Sequence, residues 1–125
     1  MKRVLVIEDN DANLYLISYI LMSNGIDVIS CKEGLPGVET ALLEQPDLII
    51  MDIQLPDING LEATRRIRED ERGKDLVIVA LTSYAMTGDR EKALAAGCTG
   101  YMEKPINPER FILEINSYLG SEKNL

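Results

Sequence analysis

Three runs of consecutive apolar residues, at 4–7 (VLVI), 48–51 (LIIM) and 76–81 (LVIVAL), do most to limit what this chain can fold into. Each is far short of a membrane span, and each is apolar at every position rather than at every second one. A strand reads that way when both faces of its sheet are covered, as in a parallel sheet clad in helices. The segments between the runs carry helical spacing. Residues 12–24 place apolar side chains at 14, 17, 20 and 21 and stop at Gly25. Residues 38–43 are closed by Pro46, and 61–69 set Leu61, Ala63 and Ile67 among charges. Residues 86–96 stop at Gly97, and 108–119 open on a proline and end at Gly120. Two further strand segments, 26–31 and 100–103, complete the alternation. The expected fold is α/β: a doubly wound, five-stranded parallel sheet with helices on both faces. Such sheets hold their functional residues just past the carboxyl ends of the strands, where the strand order reverses.

The 125 residues set the scale. A chain of this mass is expected to expose about 6,700 Å² folded against about 20,000 Å² unfolded, enough burial for one self-sufficient core. One domain over residues 1–120 is expected, followed by a short polar tail at 121–125, with no room for a DNA-binding appendage of ordinary size. Thirteen basic against 21 acidic residues give a net charge of −8 with no basic run, which argues against nucleic acid as a partner. The absence of histidine removes imidazole bases, Ser–His triads and His metal sites together. Two isolated cysteines, Cys31 and Cys98, read as reduced core thiols. The first apolar run ends at Glu8 after four residues, so neither a secretory leader nor a membrane segment is visible, and a cytoplasmic location is expected.

Four strand ends carry chemistry. The first ends in Glu8-Asp9, the third in Asp52, the fourth in Thr82 and the fifth in Lys104. In a parallel sheet these converge on one edge. Two like charges 4 Å apart repel by roughly 4 kcal/mol at an effective dielectric of 20, so three clustered carboxylates call for a cation. Oxygen ligands without His or Cys select a hard metal, and a partly hydrated Mg²⁺ fits so few carboxylates best. With Lys104 counted, such a site is neutral, and it suits a phosphoryl group with Asp52 as nucleophile. Each residue also has a plainer reading. Asp9 could cap the first helix, Thr82 could bond to backbone, and Lys104 could sit in solvent. The joint placement favours the functional reading.

With these residues in place the sequence resembles the CheY-like receiver domains of bacterial two-component response regulators. The matching motifs are V-L-V-I-E-D-N at 4–10, L-I-I-M-D-I-Q-L-P at 48–56, N-G at 59–60, V-A-L-T-S at 79–83, A-G-C at 96–98 and Y-M-E-K-P at 101–105. Their order and spacing cover residues 3–119. The resemblance implies a flavodoxin-like (βα)5 fold with strand order 2-1-3-4-5. It implies that Asp52 is the phospho-acceptor and that Mg²⁺ is held by Glu8, Asp9, Asp52 and the backbone carbonyl of Gln54. Thr82 is expected to bond the phosphoryl group and move toward it, with Tyr101 turning inward in response. Lys104 is expected to pair with a phosphoryl oxygen, aimed inward by a cis peptide before Pro105. Ser83 stands where the family usually has alanine, and bulky Tyr84 is expected to shield the acyl phosphate from water.

The implied partners are a histidine kinase or histidine phosphotransfer protein, docking near Asn13, Leu14 and Ile17 unless Leu14 and Ile17, which also sit at helical core spacing, are buried, and a downstream protein reached through the face of the fourth helix, fifth strand and fifth helix. A monomer is expected, with phosphorylation-dependent dimers through the fourth-helix face as the alternative. The wording E-D-N-D-A-N and D-I-Q-L-P-D-I-N-G-L-E resembles the single-domain, polar-differentiation (DivK-like) type and the receivers of hybrid kinases. The expected activity is self-phosphorylation and self-dephosphorylation only, and the protein is not expected to be an enzyme on other substrates. A dehalogenase-type phosphatase would need a second aspartate where Gln54 stands. A pseudo-receiver would lack an acidic-pocket residue. A flavin-type cofactor binder would find Glu8-Asp9-Asn10-Asp11 repelling its phosphate.

Overall fold

The computed structural model describes residues 2–83 and 88–120. Five strands alternate with five helices: β1 (Arg3–Ile7), α1 (Asp11–Ser23), β2 (Asp27–Cys31), α2 (Gly34–Glu44), β3 (Leu48–Asp52), α3 (Gly60–Glu69), β4 (Ile78–Thr82), α4 (Asp89–Ala96), β5 (Gly100–Glu103) and α5 (Pro108–Tyr118). A single 3₁₀ turn at Glu71–Gly73 follows α3. The strands form one parallel sheet in the order β2-β1-β3-β4-β5. The accessible surface is 6628 Å², close to the value expected from mass alone.

Side chains alternate across a strand, so each apolar run feeds two cores. Val4 and Val6 of β1, with Ile50 of β3 and Leu81 of β4, meet Ile17 and Leu21 of α1 and Phe111 and Ile115 of α5. Leu5 and Ile7, with Ile49, Met51, Ile78 and Ala80, meet Ala41 of α2, Ala63 and Ile67 of α3 and Ala93 of α4. Every residue of β3 and β4 is buried, which is why neither strand shows a polar alternation.

Two boundaries differ from the sequence expectation by more than one residue. Helix α2 begins at Gly34, not 38, because Pro36 falls in the first turn, where backbone N–H groups have no helical partner to lose. Strand β4 begins at Ile78, not 76. Its ladder with β3 opens at Ile49–Ile78, and Leu76 and Val77 are only half-buried before it. Helix α4 is described from Asp89, so the expected start at Met86 lies outside the described residues, as does the tail at 121–125.

From β1 the chain steps outward to β2 and returns across β1 to β3. The reversal therefore lies between β1 and β3, and the crevice past their carboxyl ends is where a ligand would bind.

Candidate functional site

Sheet register brings the polar strand ends together. Ile7 pairs with Met51, so Glu8 emerges level with Asp52, the last residue of β3. Asp52 faces Leu81, Thr82 faces Glu103, and Lys104 follows, extending the ladder through its N–H to Thr82 O at 2.7 Å. The Lys104–Pro105 peptide is cis. Lys104 Nζ lies 3.1 Å from Glu8 Oε1 and 3.4 Å from Asp52 Oδ2, with only 12% of its side chain exposed. Asp52 Oδ1 accepts from Gln54 N at 3.1 Å, and Glu8 Oε2 from Asn10 N at 3.1 Å. These groups open on a cavity of about 440 Å³ lined by Glu8, Asp9, Asp52, Gln54, Ser83 and Lys104, with Asn10, Asp11 and Asn13 at its rim. Asp9 is exposed and does not cap α1; Asn10 does, accepting from Asn13 N at 2.9 Å.

The site is short of positive charge. One carboxylate oxygen from each of Glu8, Asp9 and Asp52 lies within 4.8 Å of the others, against one ammonium. Two negative charges remain, which a divalent cation would neutralise. Among the described residues Glu8 Oε1 is the one buried side-chain oxygen or nitrogen that accepts no hydrogen bond; Lys104 meets it as an ion pair without hydrogen-bond geometry. An unsatisfied buried carboxylate oxygen amid an all-oxygen donor set fits Mg²⁺.

Burial, reinforced by the neighbouring Asp52 carboxylate and opposed by the Asn10 N–H and Lys104, pushes the Glu8 carboxyl up from its ordinary 4.5 to about 7. Between these values the folded protein keeps a proton that the unfolded chain has released. Glu8 therefore supports the fold fully below the lower value, and that support is lost as pH rises through the upper one. In EDTA at about pH 8, Glu8→Gln is expected to be more stable than wild type by on the order of 2 kcal/mol, with a flatter pH profile. Urea denaturation across pH checks this; a variant no more stable than wild type contradicts it.

The loop after Asp52 is held close to it. Gly60 N donates to Ile53 O at 2.8 Å, Asn59 caps α3 through Glu62 N, and a Cβ on Gly60 would lie 2.2 Å from the Asp52 carbonyl oxygen. Gly60→Ala is therefore expected to cost about 2–3 kcal/mol, because backbone must move. A lowered urea midpoint at unchanged m-value would record it.

Thr82 does not join the acidic cavity. It is buried and lines a neighbouring pocket with Gln54, Leu61, Asp89 and Lys92, and Ser83 forms the cavity wall at that point. Tyr101 is half-buried and lines a 220 Å³ groove between Arg90, Phe111 and Arg110. Tyr84 lies outside the described residues. Ile17 is 0% exposed, a core residue and not a docking one, while Leu14 and Asn13 are half-buried. The exposed face of α1 carries Tyr15, Tyr19 and Met22. Among the described residues no helix is long and apolar enough to cross a membrane.

Comparison with known proteins agrees with this geometry. The chain is 41% identical over 119 residues to the polar-differentiation response regulator DivK of Brucella ovis, covering 95% of this chain and 97% of that one. It superposes at a TM-score of 0.88 and 37% identity on the receiver domain of a Pseudomonas aeruginosa sensor histidine kinase, which holds a magnesium ion in its active-site cleft; 96% of this chain and 98% of that one are covered. It superposes at 0.90 and 30% identity on a chain of a Saccharomyces cerevisiae co-crystal of a histidine phosphotransfer protein with the receiver domain of its downstream response regulator, covering 99% and 92%. Residues 4–116 match the response regulator receiver domain, and a chain matched over that span, with its acidic cavity at the sheet's point of reversal, belongs to that family.

Proposed function

We propose that the protein is a single-domain response regulator, with one receiver domain over residues 1–120, that accepts a phosphoryl group on Asp52 from a phosphohistidine of a sensor kinase or phosphotransfer protein. One observation carries this reading: Asp52 is a buried carboxylate at the carboxyl end of a central strand, open to a cavity where an ammonium and two further acids meet it. One Asp52 oxygen attacks phosphorus, a P–O bond forms, the P–N bond breaks, and the imidazole nitrogen leaves with the electron pair and is protonated. The chain has no histidine, so the donor must bring it. Glu8, Asp9, Asp52 and the Gln54 carbonyl would hold Mg²⁺, which when bound offsets the negative charge of carboxylates and phosphoryl oxygens. Lys104 exchanges its contact with Asp52 for one with a phosphoryl oxygen, and the Gln54 N–H steadies the acceptor carboxylate.

Phosphorylation takes a −1 side chain to about −2. Thr82 then turns from its own pocket toward the new oxygens, Tyr101 follows inward, and the face of α4, β5 and α5 presents a changed surface to a downstream protein. The protein acts in the cytoplasm, as a monomer before phosphorylation, and turns over no substrate but its own acyl phosphate. The test is transfer of radiolabel from a phosphorylated histidine phosphotransfer protein. Label lost from the donor and gained by this chain, and released by hydroxylamine as an acyl phosphate must be, supports the reading. Label that stays on every donor tried overturns it.

A further inference from the structure

The N-terminus of α2 is capped from elsewhere in the chain. Glu33, in the N-cap position, makes no side-chain cap bond. The cap comes from Asp57, in the loop that follows the acceptor: Oδ1 accepts from Gly34 N at 2.7 Å and Oδ2 from Leu35 N at 2.7 Å. These short bonds to Leu35 and Gly34 N–H hold the Asp57 carboxyl below its usual range. The approach is close enough that a Cβ on Gly34 would lie 2.7 Å from Ile58 Cγ1. Loop 53–59 is thus fastened twice. Its base is tied to Asp52 through Gln54 N and closed by Gly60 N on Ile53 O, and its tip is tied to α2.

We infer that Asp57 is a positioning residue for phosphoryl acceptance: by capping α2 in trans it fixes the loop that carries Gln54 beside Asp52. The inference rests on the reading of Asp52 and Gln54 as part of the acceptor site. Asp57 touches neither the acceptor nor its ligands, and acts through seven residues of backbone whose two ends it helps hold. Because coupling between two sites is reciprocal, Mg²⁺ at Asp52 should in turn firm the Asp57 cap.

The experiment compares wild type, Asp57→Ala and Asp57→Asn by Mg²⁺ calorimetry and by amide hydrogen exchange with and without Mg²⁺. In wild type, Mg²⁺ is expected to slow exchange at Gly34 and Leu35. Asp57→Ala is expected to speed exchange at Gly60 and to weaken Mg²⁺ binding about five- to tenfold, near the low end for residues that orient a ligand from behind. Asp57→Asn keeps one acceptor oxygen for Gly34 N or Leu35 N and turns an NH2 toward the other, so it is expected to lose part of the cap and to depart from wild type in the same direction as Asp57→Ala in both readouts. An Asn variant that matches wild type in both readouts would show that the second cap bond does not matter and would overturn the inference. So would an Ala variant that binds Mg²⁺ as wild type does, whether or not Gly60 exchanges faster. A wild type that binds no Mg²⁺ is a failure of the site reading instead. The positioning role is then judged at Gly60 alone, where faster exchange in the Ala variant upholds it and unchanged exchange removes it.

Discussion

Asp52→Asn will form no acyl phosphate with any donor, while folding as the wild type does. The amide keeps an oxygen to accept from Gln54 N at the 3.1 Å contact and keeps the volume of the side chain, so the strand end is undisturbed. It lacks the anionic oxygen that attacks phosphorus. The substitution also removes a negative charge that helps hold the Glu8 carboxyl up near 7. The metal-free variant should therefore be no less stable than wild type at about pH 8, a combination that separates loss of the acceptor from loss of the fold. Radiolabel uptake measured beside urea denaturation tests both halves. Residual labelling, with the same hydroxylamine lability, would place the acceptor elsewhere.

The second large effect is expected at Lys104. Its ammonium sits between Glu8 Oε1 and Asp52 Oδ2 and is the one cation lining the acidic cavity among the described residues. Lys104→Met keeps the length and apolar stem while leaving two buried carboxylates uncompensated. Breaking a buried pair in this way costs about 3–5 kcal/mol. The sign of the pH dependence follows from Glu8. Lys104 is among the groups that lower its pKa, so without Lys104 the carboxyl stays protonated to still higher pH. At about pH 5 Glu8 is neutral and the missing ammonium matters less; at about pH 8 the folded state must either hold an unpaired charge or take up a proton. The stability loss is expected to be several-fold larger at the higher pH. An equal loss at both would mean that Lys104 acts through packing, not charge.

Much of this was legible in the sequence because its strongest signals are local. A run such as LIIM cannot be satisfied in a half-exposed strand, and from three such runs the covered parallel sheet follows. Glu8, Asp52, Thr82 and Lys104 lie at strand ends in the sequence and at strand ends in the fold, because a parallel ladder puts all carboxyl ends on one edge. The misreadings have a common cause. The expected start of α2 at 38 falls short of Gly34, because Pro36 stands in the first turn, where a helix tolerates proline. Ile17 sits at a spacing shared by core and docking residues, and only packing against the sheet assigns it to the core. Asp57 carries no local signature, since its partners are 22 and 23 residues away. Nor does residue type say which pocket Thr82 faces.

The most direct test of the account is the intact mass of the wild-type protein after exposure to acetyl phosphate or a phosphohistidine donor, in Mg²⁺ and in EDTA. A single phosphoryl adduct that needs Mg²⁺ and maps to Asp52 is expected. An adduct equally abundant in EDTA, an adduct on another residue, or none from any phosphohistidine donor would contradict it.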